Sequence, residues 1–346
     1  MVVQRDMCSY FLIGFTIGAI FSIFTTEKSR NSQSEENYVL SHAQKVVSYL
    51  QEIKDLPKTF RKRLWRTHQE HLASRIRVLC FVMTHPNNHN SKAQYIRYSW
   101  GRHCNRLVFI SDGTRRDDSL PVVKVNAKSG RSGLWDKVKK AFRYMHSNYS
   151  GQYDWIIKAD DDTFVNVDSL RNFLLGFSPE APLFFGEQLR SPYDQIYMAG
   201  GGGYVLSRVG VQKFIDLLND PRSDEEVGCS RVKPTSEEDP FISHCLIHAN
   251  VSAIDSRDHL GQNRFSQHSG IIRSSVWGET DNFYWRYQLY KSTAQKPGPY
   301  VGCCSSSAIS FHYTRPLNMF FYDFLIRKVN PEDTSLTLAL NPRKYA

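Results

Sequence analysis

The strongest constraint on the fold is a run with no room for an exposed face. Arg77-Val78-Leu79-Cys80-Phe81-Val82-Met83-Thr84 is almost continuously apolar. A strand with one wet face alternates apolar and polar residues, so an unbroken run indicates a parallel-sheet strand covered on both sides. Beyond Thr84 the chain alternates between helical and strand patterns. A helix is expected over about Ser91 to Trp100, strands at Arg106 to Ser111 and Val122 to Val125, and a helix from Ser132 to about Ser147. In that last helix Leu134, Trp135, Val138, Ala141, Phe142 and Met145 form one stripe, with Lys137, Lys139 and Lys140 mostly off it. A further strand, Trp155 to Lys158, runs into Asp160, Asp161 and Asp162. Strand, helix and strand repeated this way predict an α/β fold with an open, mostly parallel sheet flanked by helices, which binds ligands at the carboxyl ends of its strands.

The aspartates stand at such an end. Three adjacent carboxylates repel one another, which implies a cation. In an extended chain Asp160 and Asp162 point the same way and can chelate one hard dication, while Asp161 is free to hydrogen-bond a ribose or an amide. A Walker B acid needs its partner G-x-x-x-x-G-K-[ST], and the chain contains no Gly-Lys dipeptide. EF-hand spacing is absent too. The reading left is a metal ion that bridges carboxylates and the diphosphate of a nucleotide. Gly200-Gly201-Gly202-Gly203 lies between the apolar segments Tyr197 to Ala199 and Tyr204 to Leu206, and helix signals come next over Ser207 to Leu218. A glycine backbone there allows close approach of a sugar or phosphate. Taken alone, His312 in Ser310-Phe311-His312-Tyr313 reads as a structural histidine. The aromatic run Asp281 to Tyr287 reads either as packing or as rings on which a glycan face can stack.

Between Asp6 and Glu27 lies an uncharged segment, MCSYFLIGFTIGAIFSIFTT, about the ~20 residues of a membrane-spanning helix. No A-x-A cleavage site follows it, so the expectation is an uncleaved signal anchor over 7–26, not a signal peptide. Arg5 favours a cytosolic tail at 1–6, countered in part by Lys28 and Arg30. A polar stem is expected over 27–74, with a short heptad pattern at Val39, Ala43, Val46, Leu50 and Ile53 that Pro57 ends. A lumenal domain over 75–330 and a tail over 331–346 complete the division. Asn148-Tyr149-Ser150 and Asn250-Val251-Ser252 are glycosylation acceptor triplets. Apart from Cys8, six cysteines remain, Cys80, Cys104, Cys229, Cys245, Cys303 and Cys304. An even number without a CxxC pair suits disulfides in an oxidising lumen rather than zinc. Nearest-neighbour pairing would join Cys80 to Cys104 and Cys229 to Cys245, leaving Cys303 and Cys304 open.

The formal net charge is +10, which could serve nucleic acid, anionic lipid or a phosphorylated small molecule. The charges are scattered, however, and the densest cluster, Lys58-Thr59-Phe60-Arg61-Lys62-Arg63, is placed in the linker. With no zinc-finger spacing or aromatic RNP motif, a nucleic-acid partner is not expected.

A series of motifs, in order over residues 75 to 327, carries a family resemblance. They are VMT (Val82 to Thr84), WGRHCN (Trp100 to Asn105), LWDKVKKAFRYMH (Leu134 to His146), DWIIKADDDTFV (Asp154 to Val165), YMAGGGGYVLS (Tyr197 to Ser207), EEDP (Glu237 to Pro240), DSRD (Asp255 to Asp258) and GCCSSSAISFHY (Gly302 to Tyr313). The chain thereby resembles the core 1 β1,3-galactosyltransferases, or T-synthases, among the Fringe-like β1,3-glycosyltransferases. The resemblance implies a GT-A fold in a type II, single-pass Golgi membrane protein. It implies inverting, Mn²⁺-dependent transfer of galactose from UDP-galactose to the 3-hydroxyl of GalNAc on Ser or Thr of glycoproteins, by a homodimer.

Carried over by position, Asp160, Asp162 and His312 match the metal set. Asp239 matches the general base, with Glu238 as its fallback. Thr84, Arg97, Trp100 and Lys137 match segments lining the nucleotide pocket, joined there by Asp160, Asp161, Gly201 and Gly202. Trp285 and Tyr313 match aromatic positions facing the acceptor. The chain departs from the family at Pro240, where an aliphatic residue is usual, and at Gly202, where alanine is usual. A residue before proline avoids the helical region, so Pro240 bears on the backbone of Asp239. The alternatives are a Fringe-like β1,3-transferase of different donor or acceptor, such as N-acetylglucosamine onto fucose, and a non-catalytic chaperone or glycan-binding relative. A non-catalytic relative would have little need for the aspartates, Asp239 and His312 together.

Overall fold

The computed structural model describes residues 58–113, 119–190, 196–220, 222, 229, 238–259, 261–267 and 304–329. The expected anchor, the stem up to residue 57, the tail 331–346, Trp285 and Cys303 lie outside the described residues. Among the described residues no helix is long and apolar enough to cross a membrane.

Helix α1 (Lys58–Arg75) comes first. The basic cluster expected in a linker therefore lies on a helix. Leu72, 3% exposed, joins the core cluster that contains Val78, Cys80 and Val82. Among the described side chains of this segment, Leu72 and, just beyond the helix, Ile76 enter that core.

Strand β1 (Val78–Met83) is buried throughout, as the unbroken apolar run requires. A 3₁₀ turn over 86–88 and a wider π-helical turn over 89–93 lead into the short α2 (Gln94–Tyr98), then β2 (Arg106–Ser111), β3 (Val122–Lys124), α3 (Leu134–Tyr149) and β4 (Trp155–Asp160). Then come β5 (Phe164–Val165), α4 (Val167–Leu174), β6 (Leu183–Gly186), the hairpin β7 (Gln188–Arg190) and β8 (Ile196–Met198), β9 (Tyr204–Ser207) and α5 (Arg208–Asn219). The remaining elements are α6 (Asp239–His248), β10 (Ser252–Asp255), β11 (Phe265–Ser266), β12 (Ser310–Phe311) and α7 (Pro316–Phe324).

The main sheet has seven strands in the order β10-β6-β9-β4-β1-β2-β3. The strands β4, β1, β2 and β3 run parallel to one another, and β9 lies antiparallel between β4 and β6. Alternation along β1 sends Leu79, Phe81 and Met83 to one face and Val78, Cys80 and Val82 to the other. The first face packs against Trp135, Val138 and Phe142 of α3 and Phe214 of α5, with Phe142 edge-on to Phe81 at 5.0 Å. The second packs against Ile96, Trp100, Leu170, Leu174 and Met319. This mixed α/β architecture with a large central sheet fits a GT-A-like fold.

The disulfides Cys80–Cys104 and Cys229–Cys245 form as nearest-neighbour pairing expects, and Cys304 is disulfide-bonded as well. Asn148, in the last turn of α3, and Asn250, just after α6, are both exposed.

Two features of this frame position the site. The carboxyl ends of β1 and β4 lie side by side, with Met83 paired to Asp160. Because β9 is antiparallel to β4, the Gly200 to Gly203 run that precedes it arrives at that same end. A small second sheet, β11-β12-β5, pairs Phe311 with Phe164, which brings the residue after β12, His312, back to the aspartates.

Candidate active site

Asp160, Asp162 and His312 each offer a ligand atom, all within 4.8 Å of one another. The carboxylates converge through a turn instead of an extended pleat: β4 ends at Asp160, and the Thr163 N–H closes onto the Asp160 carbonyl at 3.1 Å. The His312 Nδ1 lies 3.1 Å from the Gln267 carbonyl. A carbonyl only accepts, so Nδ1 carries the hydrogen and Nε2 is left for a ligand. That Nε2 faces Asp162 Oδ1 at 3.3 Å, where a proton or a metal ion can bridge them. Two carboxylates and one oriented imidazole form a donor set suited to a divalent cation.

The glycine run is shaped by what surrounds it. A Cβ on Gly201 would lie 2.3 Å from His312 Cε1 and 2.4 Å from its Nδ1, so only glycine lets the imidazole sit there. Gly203 has φ +80°, and a Cβ there would come within 2.9 Å of the Lys158 carbonyl. Thr163 Oγ1 donates to the Gly201 carbonyl at 2.8 Å, the Ser310 hydroxyl donates to that of Gly202, and the Gly202 N–H donates to Gln267 Oε1 at 2.8 Å. These bonds lock the run to the acidic turn on one side and to the His312 strand on the other.

Around the acids are cations that the sequence reading missed. Lys92 Nζ lies 3.2 Å from Asp161 Oδ1 and 3.1 Å from Asp162 Oδ2. Lys158, 1% exposed inside β4, lies 2.8 Å from Asp160 Oδ1 and 2.8 Å from Glu238 Oε1. Burial opposes ionisation of Asp162, but the hydrogen bond and charge of His312 with the charge of Lys92 bring its carboxyl down to about 2. Asp161 is 7% exposed and accepts from Thr84 Oγ1 and Asn88 Nδ2, both at 2.8 Å. Burial outweighs those bonds and the Lys92 charge, and its pKa is raised.

A second acid pair stands on the other side of the glycines. Asp239 opens α6 and accepts the Gly200 N–H on Oδ2 at 2.8 Å. The expectation that Pro240 pushes Asp239 out of the helical region is corrected here. The helix starts at Asp239, with Glu238 as its cap and Pro240 in the first turn, where a missing N–H costs no hydrogen bond. Burial and then the charge of Glu238 raise Asp239 to about 7. Asp239 stays half-buried while Glu238 is 2% exposed.

Of the residues expected in the nucleotide pocket, Thr84 and Lys137 are brought to the site: Lys137 Nζ donates to the Thr84 carbonyl and lies 3.9 Å from Asp112 Oδ1. Arg97 and Trp100 are not. Arg97 lines a cavity of roughly 440 Å³ with Arg102, Leu107 and Pro121, near the amino-terminal ends of β2 and β3. Trp100 is 1% exposed, in the core. The helical turns fix which side chain reaches the carboxyl end of the sheet, and at that end they present Lys92 where the sequence reading chose Arg97. Tyr313, beside the metal set, has φ 51° and is 57% exposed, with its ring stacked on His312 at 3.8 Å. Lys158 could have been found from sequence, because a lysine inside a doubly covered strand needs a buried counter-charge.

The model of the family described as Fringe-like matches residues 75–259, more than half of the chain. The chain belongs to the Fringe-like family. This Fringe-like protein is 36% identical over 262 residues to glycoprotein-N-acetylgalactosamine 3-beta-galactosyltransferase 1 of Xenopus laevis, covering 74% of this chain and 68% of that one. It is 25% identical over 183 residues to chondroitin sulfate synthase 3 of Mus musculus, covering 48% of this chain and 20% of the relative. With chondroitin sulfate glucuronyltransferase of Homo sapiens the identity is 26% over 248 residues, 70% of this chain and 28% of the relative. The Fringe-like match thus includes the acidic turn, the glycine run and Asp239, and ends before His312.

Proposed function

We propose that this Fringe-like protein is a β1,3-galactosyltransferase of GT-A fold. It moves galactose from UDP-galactose, with inversion, to the 3-hydroxyl of GalNAc on Ser or Thr of glycoproteins. The observation that carries the reading is the pairing, across one glycine run, of a divalent-metal donor set with a half-buried carboxylate whose pKa is raised to about 7. The name of the Xenopus laevis relative supports the galactose and GalNAc assignment. Asp160, Asp162 and His312 would hold the metal, Mn²⁺ in this reading. When bound, it supplies positive charge to the diphosphate, so the leaving UDP needs no protein acid.

The chain's own groups do the rest. Asp239, held by the Gly200 N–H on Oδ2, would take the proton from the attacking hydroxyl, and a base with pKa near 7 suits neutral conditions. Glu238 is the poorer base because it is buried and ion-paired with Lys158. Thr84, Asn88 and Lys92 hold Asp161 in place. The exposed Tyr313 ring offers a face to the acceptor sugar. Residues 7–26 would anchor the protein as a type II Golgi membrane protein with the domain in the lumen, acting as a homodimer. The test is transfer by the purified lumenal domain from a panel of radiolabelled UDP-sugars to a GalNAc-peptide, in Mn²⁺ and in EDTA. Product only from UDP-galactose with Mn²⁺ is expected, and absence of that product would refute the reading.

A further inference from the structure

We propose that Lys158 is a positioning residue that couples the metal set to the acid pair on α6, and that it competes with the metal for Asp160. Its ammonium is wholly enclosed and reaches both groups at once, with Asp160 Oδ1 and Glu238 Oε1 each at 2.8 Å and the Gly200 carbonyl at 3.1 Å. The third contact matters because Gly200 is held at its other end by Asp239, whose Oδ2 accepts the Gly200 N–H at 2.8 Å. A single lysine therefore sets Asp239 through one residue while it neutralises a metal ligand directly. The Tyr204 ring, 5.6 Å from the ammonium, and the Gly203 backbone, which passes close to the Lys158 carbonyl, hold it there.

The coupling has a definite sign. Asp160, Asp162 and His312 would hold the cation, and Asp160 would then exchange its contact with the lysine for the metal. The lysine's charge is then directed to Glu238 and the Gly200 carbonyl, which strengthens the hold on Asp239 when the donor's metal is in place. Removing the ammonium should free Asp160 for the metal and loosen Asp239. A lysine that merely completes the packing would on removal weaken both metal binding and turnover.

Lys158→Met keeps the length of the stem without the charge. Mn²⁺ binding to the purified lumenal domain, followed by loss of the free-ion paramagnetic resonance signal with and without UDP, is expected to tighten about tenfold. Turnover is expected to fall about a hundredfold with the donor KM little changed, as displacement of a reacting group by about 1 Å does. The doubly neutral K158M/E238Q leaves no unpaired buried charge from this pair and guards against a single variant that does not fold. It too should bind Mn²⁺ more tightly than the wild type, because the lysine touches Asp160 and the glutamate does not. Mn²⁺ affinity equal to or weaker than wild type in the folded variants, wild-type turnover in K158M, or no Mn²⁺ binding by the wild type would each overturn the proposal. The turnover half rests on the function proposed above. A wild type that binds Mn²⁺ but makes no galactosylated product would sink that function alone, and the affinity comparison would still decide the competition.

Discussion

Gly201→Ala is the sharpest structural test of the metal set. The added Cβ would lie 2.3 Å from His312 Cε1, 2.4 Å from Nδ1 and 2.9 Å from Gln267 Oε1. Carbon atoms rest at about 3.5–4.0 Å, so the imidazole must retreat by roughly 1.2 Å or more. It cannot do so and keep both the Gln267 carbonyl at 3.1 Å and Asp162 at 3.3 Å. Overpacking of this kind costs about 1–3 kcal/mol, and a displaced ligand should weaken metal binding by about 100-fold. Gly202→Ala is the internal control: its Cβ would meet Ser266 and Gln267 backbone atoms at 3.2 to 3.3 Å, a crowding of a few tenths of an ångström. That agrees with the alanine expected at this position from the family pattern. Mn²⁺ titration and thermal melting of both variants provide the measurement. If the Gly201 variant binds Mn²⁺ like wild type, or the Gly202 variant loses as much affinity, the assignment of His312 as a ligand fails.

Asp162→Asn should abolish Mn²⁺-dependent UDP binding, seen by calorimetry. Asp239→Asn should retain UDP binding and lose about 10²-fold or more in turnover, whereas substantial turnover would move the base elsewhere. In the wild type the rate should rise with pH through about 7, since Asp239 must be unprotonated to act and its pKa is raised to about 7. Cys80→Ser should lower stability by about 2–4 kcal/mol in denaturant melts, because the bridge to Cys104 spans 24 residues.

The parallel half of the sheet was legible because burial on both faces leaves an unbroken apolar signature, and Val78 to Met83 has it. The strand order was harder to read: β9 comes after a glycine run and pairs antiparallel between β4 and β6, a placement no local pattern encodes. The metal set was legible in part. The alternation of an extended chain singles out Asp160 and Asp162, yet the chain turns there and the convergence comes from that turn. His312 was identified by resemblance alone, since its approach depends on the pairing of Phe311 with Phe164. Sequence pattern does not separate Lys92 from Arg97, because helix phase near an irregular start over 86–93 cannot be counted from sequence to within one turn.

The acids of this site are assigned their work by surroundings, and the two extremes have opposite linkage to stability. Asp162 is depressed to about 2, so the unfolded chain, with an ordinary value near 3.9, binds its proton first as pH falls. In the metal-free protein this group's contribution, about 2 kcal/mol, is therefore present above about pH 4 and lost as pH falls toward 2. Asp239 is raised to about 7, so between about pH 4 and 7 the folded protein holds a proton that the unfolded chain has released. Its contribution is present at the low end and disappears as pH climbs through 7. At neutral pH the folded protein thus keeps an ionised carboxylate of low proton affinity where the proposed function binds a cation, and a carboxylate of high proton affinity, partly deprotonated at a cost in stability, where the proposed function has a hydroxyl lose its proton. Environments that push two carboxyls apart in this way separate electrostatic from proton-transfer roles. Asp239→Asn should accordingly flatten the loss of stability between about pH 5 and 7.5 while lowering turnover by about 10²-fold or more. A melting temperature that falls over that range as steeply as in the wild type would show that Asp239 is not the group titrating there.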